Sequence, residues 1–401
     1  MRKIKVLVIT HTFPTKHNPV AAIFLLNQLK ELKRYCDIKV IFPYAYVPKI
    51  KTLNPYRNYS DVPPRERIEG IEVYHPKYFM FPRVGLVHKF LNVFSVMESI
   101  FSYFSSREVI DHLMRGWKPD VIHLHGTVSE GMEGIRAKRA YRKPLLITTY
   151  GEDITKYAKL PVSGSVSKRI LKEADAIICQ SHFLKREIEA LGIHKPFFII
   201  PMGALISHFR PENKTLVRKR LHIPVDKKII LFVGHLVARK GAEYLIRAMD
   251  EIIRKEKDAQ CYIIGKGPLG ESLRELAKEL HLTDQIIFLG QKEHKEVAQY
   301  MKACDVFVLP SLNEGLPVVV CEALACGKPV VATRVAGTPE LVDKDVGYLV
   351  EPKDVKDLAE KITLALNRKW ETKKLLKRAK EFSVPASAQK VMGVYERFVR
   401  R

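Results

Sequence analysis

Cysteine is scarce and never clustered. Cys36, Cys179, Cys261, Cys304, Cys321 and Cys326 are scattered, mostly in apolar runs, and none forms a C-x-x-C pair. That argues against a zinc site and fits small buried hydrophobes in a reducing cytoplasm, so no metal is expected. No run of 18 or more apolar residues occurs, which excludes a membrane-spanning helix. The opening Met1–His11 is basic and then apolar, but too short for a signal peptide and without a small-residue cleavage site. It reads instead as the first buried strand of a parallel sheet. Short repeats and low-complexity segments are absent. Acidic residues are the scarcer sign: 44 Asp and Glu stand against 68 Lys and Arg, a net charge of +24. Such a field attracts nucleotide sugars, nucleic acid or acidic lipid without choosing between them, and it is spread along the chain.

What is present fits a globular α/β protein. With 401 residues, 46% hydrophobic and 28% charged, the chain can bury a large core as two domains. Apolar runs predict strands at Ile4–Ile9, Ile38–Phe42, Ile71–His75, Val121–Leu124, Leu145–Tyr150, Ala176–Cys179 and Phe197–Ile200, with helical patterns between, as at Val20–Arg34 and Val166–Lys172. Around Met202–Asp226, Pro201, Pro211 and Pro224 with rising charge mark a linker and a short helix. A second series follows at Ile229–Val233, Cys261–Ile264, Ile286–Leu289, Val306–Leu309, Val330–Ala332 and Tyr348–Val350. Helices are expected at Gly241–Lys255, Glu271–Leu280, His294–Lys302, Val318–Cys326 and Lys356–Leu366. The expected division is 1–205, 206–380 and a closing helical segment 381–401 that returns to the first domain. Two doubly wound domains facing a central cleft would bind ligands at the carboxyl ends of their sheets.

The most informative stretch is Pro310–Ala332. Two carboxylates, Glu314 and Glu322, stand eight positions apart. The first ends a strand-to-helix loop; the second lies about two turns along the helix, on a similar face. The helix start offers free N–H groups and positive dipole to a diphosphate. One acid for sugar hydroxyls, N–H groups for phosphates and a second acid for a ribose make a nucleotide-sugar site. Gly234–Gly241 follows a buried strand and opens a helix, placing Arg239 and Lys240 near its mouth. Two cations there would stabilise a departing diphosphate; the segment alone reads equally as a solvated basic turn, and the Glu314 loop beside it favours the diphosphate. Gly265–Gly270 matches G-x-G-x-x-G, but the next strand ends Phe288-Leu289-Gly290, without the acid a dinucleotide fingerprint needs. Backbone packing near a flat base is preferred to NAD binding, and a plain turn stays open.

In this combination, residues 229–352 resemble the C-terminal domain of the family-4 (group 1) retaining glycosyltransferases of the GT-B fold. The matching pieces are V-G-x-L-x-x-x-K-G at Val233–Gly241, I-G-K-G-P at Ile264–Pro268, A-x-D-V-F-V-L-P-S at Ala303–Ser311, the Glu314/Glu322 pair, G-K-P-V-V-A at Gly327–Ala332 and G-T-P-E-L-V at Gly337–Val342. The first domain matches more weakly, through Phe13-Pro14, Asp120–His123, Gly151-Glu152-Asp153 and Pro201-x-Gly203. The resemblance implies two Rossmann-like domains and transfer of a sugar from a nucleotide-diphosphate sugar to an acceptor hydroxyl, with retention and without metal or cofactor. By it, Lys240 contacts the diphosphate with Arg239 beside it, Glu314 the sugar hydroxyls and Glu322 the ribose. The Gly315 and Leu316 N–H groups face sugar or phosphate, and Gly234, His235, Gly265, Gly267 and Pro268 line the donor loops.

Several positions depart from the family pattern. His235 stands where arginine is usual, so Arg239 compensates or the phosphate clamp is weaker. Tyr150 replaces the histidine of the frequent H-G-x-D, and His125 is the substitute at a strand end, unless it is an ordinary loop histidine. Ala21 or Ala22 stands for an early glycine, and Ala204-Leu205 for a Val-Asp. Leu86–Phe104 is apolar with a polar stripe at His88, Asn92, Ser95, Ser99 and Ser102. It is a core helix or a face toward lipid; with the basic balance, the latter motivates peripheral association with anionic membrane at the inner face of the cell membrane. The acceptor is a glycan, lipid or small molecule. The alternatives are a GT-B-like epimerase or phosphorylase, or a non-catalytic anion or nucleic-acid binder. No pyridoxal phosphate lysine is identifiable, and no basic helix or aromatic-basic sheet pattern supports nucleic acid as a partner.

Overall fold

The computed structural model describes residues 2–18, 21–46, 62–79 and 91–400, with residues 91–95 as backbone only. Val20 and residues 86–90 of the expected helices lie outside the described residues. The chain forms two compact units, Met1–Met202 with Ser387–Arg401, and Gly203–Ala386.

The first unit runs β1 (Ile4–Ile9), α1 (Ile23–Leu32), β2 (Cys36–Ile41), β3 (Tyr44–Tyr46), β4 (Arg65–Ile68), β5 (Ile71–Tyr74), β6 (Lys77–Phe79), α2 (Leu91–Gly116), β7 (Val121–His125), α3 (Gly131–Tyr141), β8 (Leu145–Thr149), α4 (Glu152–Thr155), α5 (Pro161–Glu173), β9 (Ala176–Cys179), α6 (His182–Glu189) and β10 (Phe197–Ile199). Its main sheet has the order β10-β9-β8-β7-β1-β2-β5-β4. Every pair is parallel except the edge pair β4–β5. Successive side chains of β1 feed opposite layers: Val6 and Val8 enter one core cluster, Leu7 and Ile9 the other. Burial on both faces explains why these strands read as unbroken apolar runs rather than alternating ones.

The second unit runs α7 (Lys214–Arg220), β11 (Lys228–Val233), α8 (Ala242–Lys255), β12 (Ala259–Ile264), α9 (Gly270–Glu279), β13 (Ile286–Gly290), α10 (His294–Ala303), β14 (Val306–Leu309), α11 (Val318–Ala325), β15 (Val330–Thr333), α12 (Thr338–Leu341), β16 (Gly347–Val350), α13 (Val355–Asn367) and α14 (Thr372–Glu381). Its sheet is parallel, in the order β13-β12-β11-β14-β15-β16. A last helix, α15 (Val384–Val399), places Ala388, Val391, Val394 and Tyr395 in a core cluster of the first unit. All six cysteines are buried and unpaired. Among the described residues no helix is long and apolar enough to cross a membrane.

The segment read as a linker is bound firmly into the second unit. Asn213 caps α7, its side chain accepting the Leu216 N–H at 3.1 Å. Arg218, 1% exposed, donates to the carbonyls of Ala303, Val225 and Lys227 and to Asp305 Oδ2 at 2.6 Å. Burial pushes the Asp305 carboxyl up, but Lys214, the Ile229 N–H and Arg218 outweigh it and hold the group below its usual range. Removing one member of a buried, fully bonded pair leaves the other charge stranded. Arg218→Ala should therefore cost the second unit about 3–5 kcal/mol in urea unfolding; a loss under about 1 kcal/mol would show that the pair is structurally idle.

Candidate functional site

In the second unit the strand order reverses between β11 and β14. Open α/β sheets bind ligands at the carboxyl ends flanking such a reversal. The loops leaving these two strands are the two motif-bearing loops, residues 234–241 and 310–317.

They are pressed together by backbone. Gly241, at φ +65°, opens α8 so close to the other loop that a Cβ would sit 1.9 Å from the Pro310 carbonyl oxygen. The Leu312 N–H donates to the Arg239 carbonyl at 2.7 Å. This register carries Lys240 Nζ to 2.5 Å from Glu314 Oε1, which also accepts from Ser311 Oγ at 2.7 Å. Both side chains are largely buried, so the ion pair is sheltered from screening. Both contacts use Oε1, and neither occupies Oε2. Arg239 and His235 are exposed, and Arg239 has no ion pair among the described residues. The Gly315 carbonyl accepts the Gly337 N–H at 3.0 Å, which ties the G-T-P-E-L-V segment to the same loop.

A third loop lies beside the first. Gly265, at φ +149°, lets the chain approach until a Cβ would be 1.8 Å from the Gly234 carbonyl oxygen. Leu236 donates to the Lys266 carbonyl and accepts from the Leu269 N–H, each at 3.0 Å. Gly265 and Gly267 of G-x-G-x-x-G here serve backbone approach between loops, and Pro268 stands exposed at the rim.

Glu322 lies on α11, 7% exposed, with Oε1 2.7 Å from His294 Nε2 at the start of α10. The hydrogen bond to Glu322 raises the His294 pKa against the opposing effect of burial. The Phe209 ring packs on His294 with centroids 4.9 Å apart. His294 escaped the sequence reading, since one histidine at a helix start carries no signal of a partner 28 positions on.

The first unit's sheet reverses between β1 and β7. His125 ends β7 and is 3% exposed. Its Nδ1 lies 2.5 Å from the Tyr150 hydroxyl. Beneath it His123 spans Tyr395 Oη at 2.7 Å and Thr148 Oγ1 at 2.8 Å. Burial takes His123 down to about 3; burial, with His123 adjacent, takes His125 well below its ordinary value. Both rings are neutral at neutral pH. It is Tyr150, half-buried and 5.3 Å centroid-to-centroid from the exposed Phe24, that reaches the surface, with His125 behind it. Asp153 braces the turn, Oδ1 accepting the N–H groups of Tyr150 at 3.1 Å and Gly151 at 2.8 Å.

The family profile described as "Glycosyl transferases group 1" matches residues 213–382, and that of "Glycosyltransferase Family 4" matches residues 56–204. TuaC of Bacillus subtilis, provisionally named a teichuronic acid biosynthesis glycosyltransferase, is 30% identical over 369 residues, 90% of this chain and 88% of its own. The structure of a sucrose-phosphate synthase from Thermosynechococcus elongatus superposes with TM-score 0.74 at 22% identity, covering 99% of both chains. Anabaena Alr3699/HepE, solved in complex with UDP, superposes with TM-score 0.71 at 18% identity, covering 98% of this chain and all of its own. The likeness shows the GT-B fold of two Rossmann-like domains.

Burial raises the Asp153 carboxyl to about 6, against backbone N–H bonds that lower it. A folded-state pKa above the unfolded value means stability that is full below about pH 4 and lost as pH rises through about 6. Asp153→Asn keeps an accepting oxygen and removes the titration. Its melting temperature relative to the parent should rise between these pH values; a constant difference would show that Asp153 ionises without cost.

Proposed function

The chain belongs to the group 1 glycosyl transferases of family 4, and we propose that it moves a glycosyl group from a nucleotide-diphosphate sugar to an acceptor hydroxyl with retention of configuration and without a metal. The observation that carries this reading is the Lys240–Glu314 contact between the two loops at the reversal point of the second sheet, with Glu322 on the helix that follows the second loop. Lys240 and the exposed Arg239 hold the departing diphosphate, placing positive charge where negative charge develops. Glu314 keeps Oε1 on Lys240 and Ser311 and accepts a sugar hydroxyl at Oε2. The Gly315 and Leu316 N–H groups complete the sugar and phosphate contacts. Glu322, steadied by His294, accepts from the ribose. Gly234, His235, Gly265, Gly267 and Pro268 border the base and phosphates. The UDP bound to the Anabaena relative supports a nucleoside diphosphate as ligand.

In the first unit the same reading gives Tyr150 the contact to a sugar hydroxyl and makes His125 its support. The acceptor is a hydroxyl of a glycan or glycolipid, in keeping with a relative named for teichuronic acid biosynthesis. Peripheral membrane association rests on α2, where Ile100 and Phe104 are 37% and 63% exposed. Vesicles of anionic lipid should co-sediment the protein at low salt and release it at high salt; indifference to anionic lipid would remove this part.

The panel UDP-glucose, UDP-N-acetylglucosamine, GDP-mannose and ADP-glucose tests the donor site by thermal shift and by nucleotide release. Lys240→Ala and Glu314→Ala should each lower kcat/KM by about 10²–10³ with the active donor, while the chelator EDTA leaves turnover unchanged. Proton NMR of the product should show the anomeric configuration of the donor. Near wild-type transfer by both variants would refute the site; inversion or loss of activity in EDTA would refute those two points separately.

A further inference from the structure

A cavity of about 300 Å³ lies in the second unit between the segment following its first residues and the outer face of α10, lined by Ser207, His208, Arg210, Lys295, Gln299 and Lys302. No carboxylate lines it. Lys302 is nearly buried and paired with Glu212 at 3.1 Å, but the same Glu212 also binds Arg220. Arg220 in turn donates to Gln299 Oε1 at 3.1 Å. The amide oxygen of Gln299 is thus engaged, and its NH₂ group is what remains for the cavity. Arg210 and Lys295 have no ion pair among the described residues, although both signs are interleaved elsewhere on this unit. Lys295 also stands in the first turn of α10, where the helix end disfavours a cation.

The lining therefore presents donors: two ammonium groups, a guanidinium, an amide NH₂, a hydroxyl and an imidazole. Behind the three lining cations stands one carboxylate, Glu212, which Lys302 shares with a fourth cation, Arg220. A ligand that suits such a lining accepts hydrogen bonds and carries negative charge. We propose that this cavity binds a phosphate-bearing anion, gripped by Arg210, Lys295 and Lys302. Mutual repulsion of the three cations falls when the anion enters, so occupancy stabilises the unit. Phe209, between His208 and Arg210, packs on the His294 ring, which holds Glu322. Two side chains, Phe209 and His294, thereby link the anion site to the acid assigned to the ribose. The proposal needs neither Lys240 nor Glu314 and stands or falls apart from the donor-site reading.

The test uses the full chain and the double variant Arg210→Gln/Lys295→Gln. Potassium phosphate is titrated at constant ionic strength against potassium chloride, and the melting temperature is read. The wild type should show a saturable rise with phosphate and none with chloride, and the variant an apparent affinity weaker by about tenfold or more, for two lost charge-assisted contacts. In a second arm, vesicles of phosphatidic acid are compared with phosphatidylcholine by co-sedimentation. A phosphate response lost in the variant assigns the site to a free phosphate or phosphate ester. Vesicle binding lost in the variant, without a response to free phosphate, assigns it to a lipid headgroup. If neither response depends on Arg210 and Lys295, or chloride reproduces the shift, the proposal is overturned. The unliganded variant should melt at or above the wild type, which separates loss of binding from loss of fold.

Discussion

The second unit's site depends on two places where main chain meets main chain with no side chain between. At Gly241 the start of α8 rests on the carbonyl of Pro310, and at Gly265 the turn after β12 rests on the carbonyl of Gly234. A methyl group at either point would sit 1.9 or 1.8 Å from a carbonyl oxygen and force the loops apart. Because they touch, three loops from β11, β12 and β14 share one small region. The Lys240–Glu314 contact is a product of that register rather than its cause: a flexible lysine finds the acid because the backbones have already been brought together.

The two units treat charge in opposite ways. The second pairs its acids with cationic or imidazole partners, Glu314 with Lys240, Glu322 with His294 and Asp305 with Arg218. The first buries neutral imidazoles, His123 and His125, against phenol and threonine hydroxyls. A charged, hydrogen-bonded lining suits phosphates and ribose, where interactions are strong and fixed. A neutral network that presents a phenol edge beside Phe24 suits the hydroxyls and carbon faces of a sugar ring. The family position held by Tyr150 thus exchanges a group that titrates near neutrality for one that does not.

Much of this was legible beforehand. All thirteen expected runs formed strands; most of those inside the sheets could be read because both faces are buried, leaving dense apolar runs bounded by turn residues, while β10, β13 and β16 formed at sheet edges with half-buried positions. The strands that escaped, β3, β4 and β6, are three or four residues long and carry exposed positions. Helix α3 escaped because its packing face is made of Gly131 and Gly134, set against Ile170 and Leu124, which no hydrophobic period reveals. The donor loops were legible because they are contiguous motifs. His294 and the Tyr150–His125 pair were not, because their partners lie 28 and 25 positions away and only folding joins them. In the segment read as a linker and short helix, the helix formed as α7 and the units divide at Met202 and Gly203; what proline and charge could not reveal is the anchoring of Arg218, which depends on Ala303 and Asp305, far along the chain.

One topological detail bears on how the molecule is made. The second unit is a single continuous stretch, whereas the first takes Ala388, Val391, Val394 and Tyr395 from beyond it. On the ribosome, the early strands must wait until the whole of the later unit has been threaded out before Tyr395 can reach His123 and close their layer. The part made second can therefore be the part finished first, and the nascent early half, exposing an open apolar trough meanwhile, is where a chaperone would find its grip.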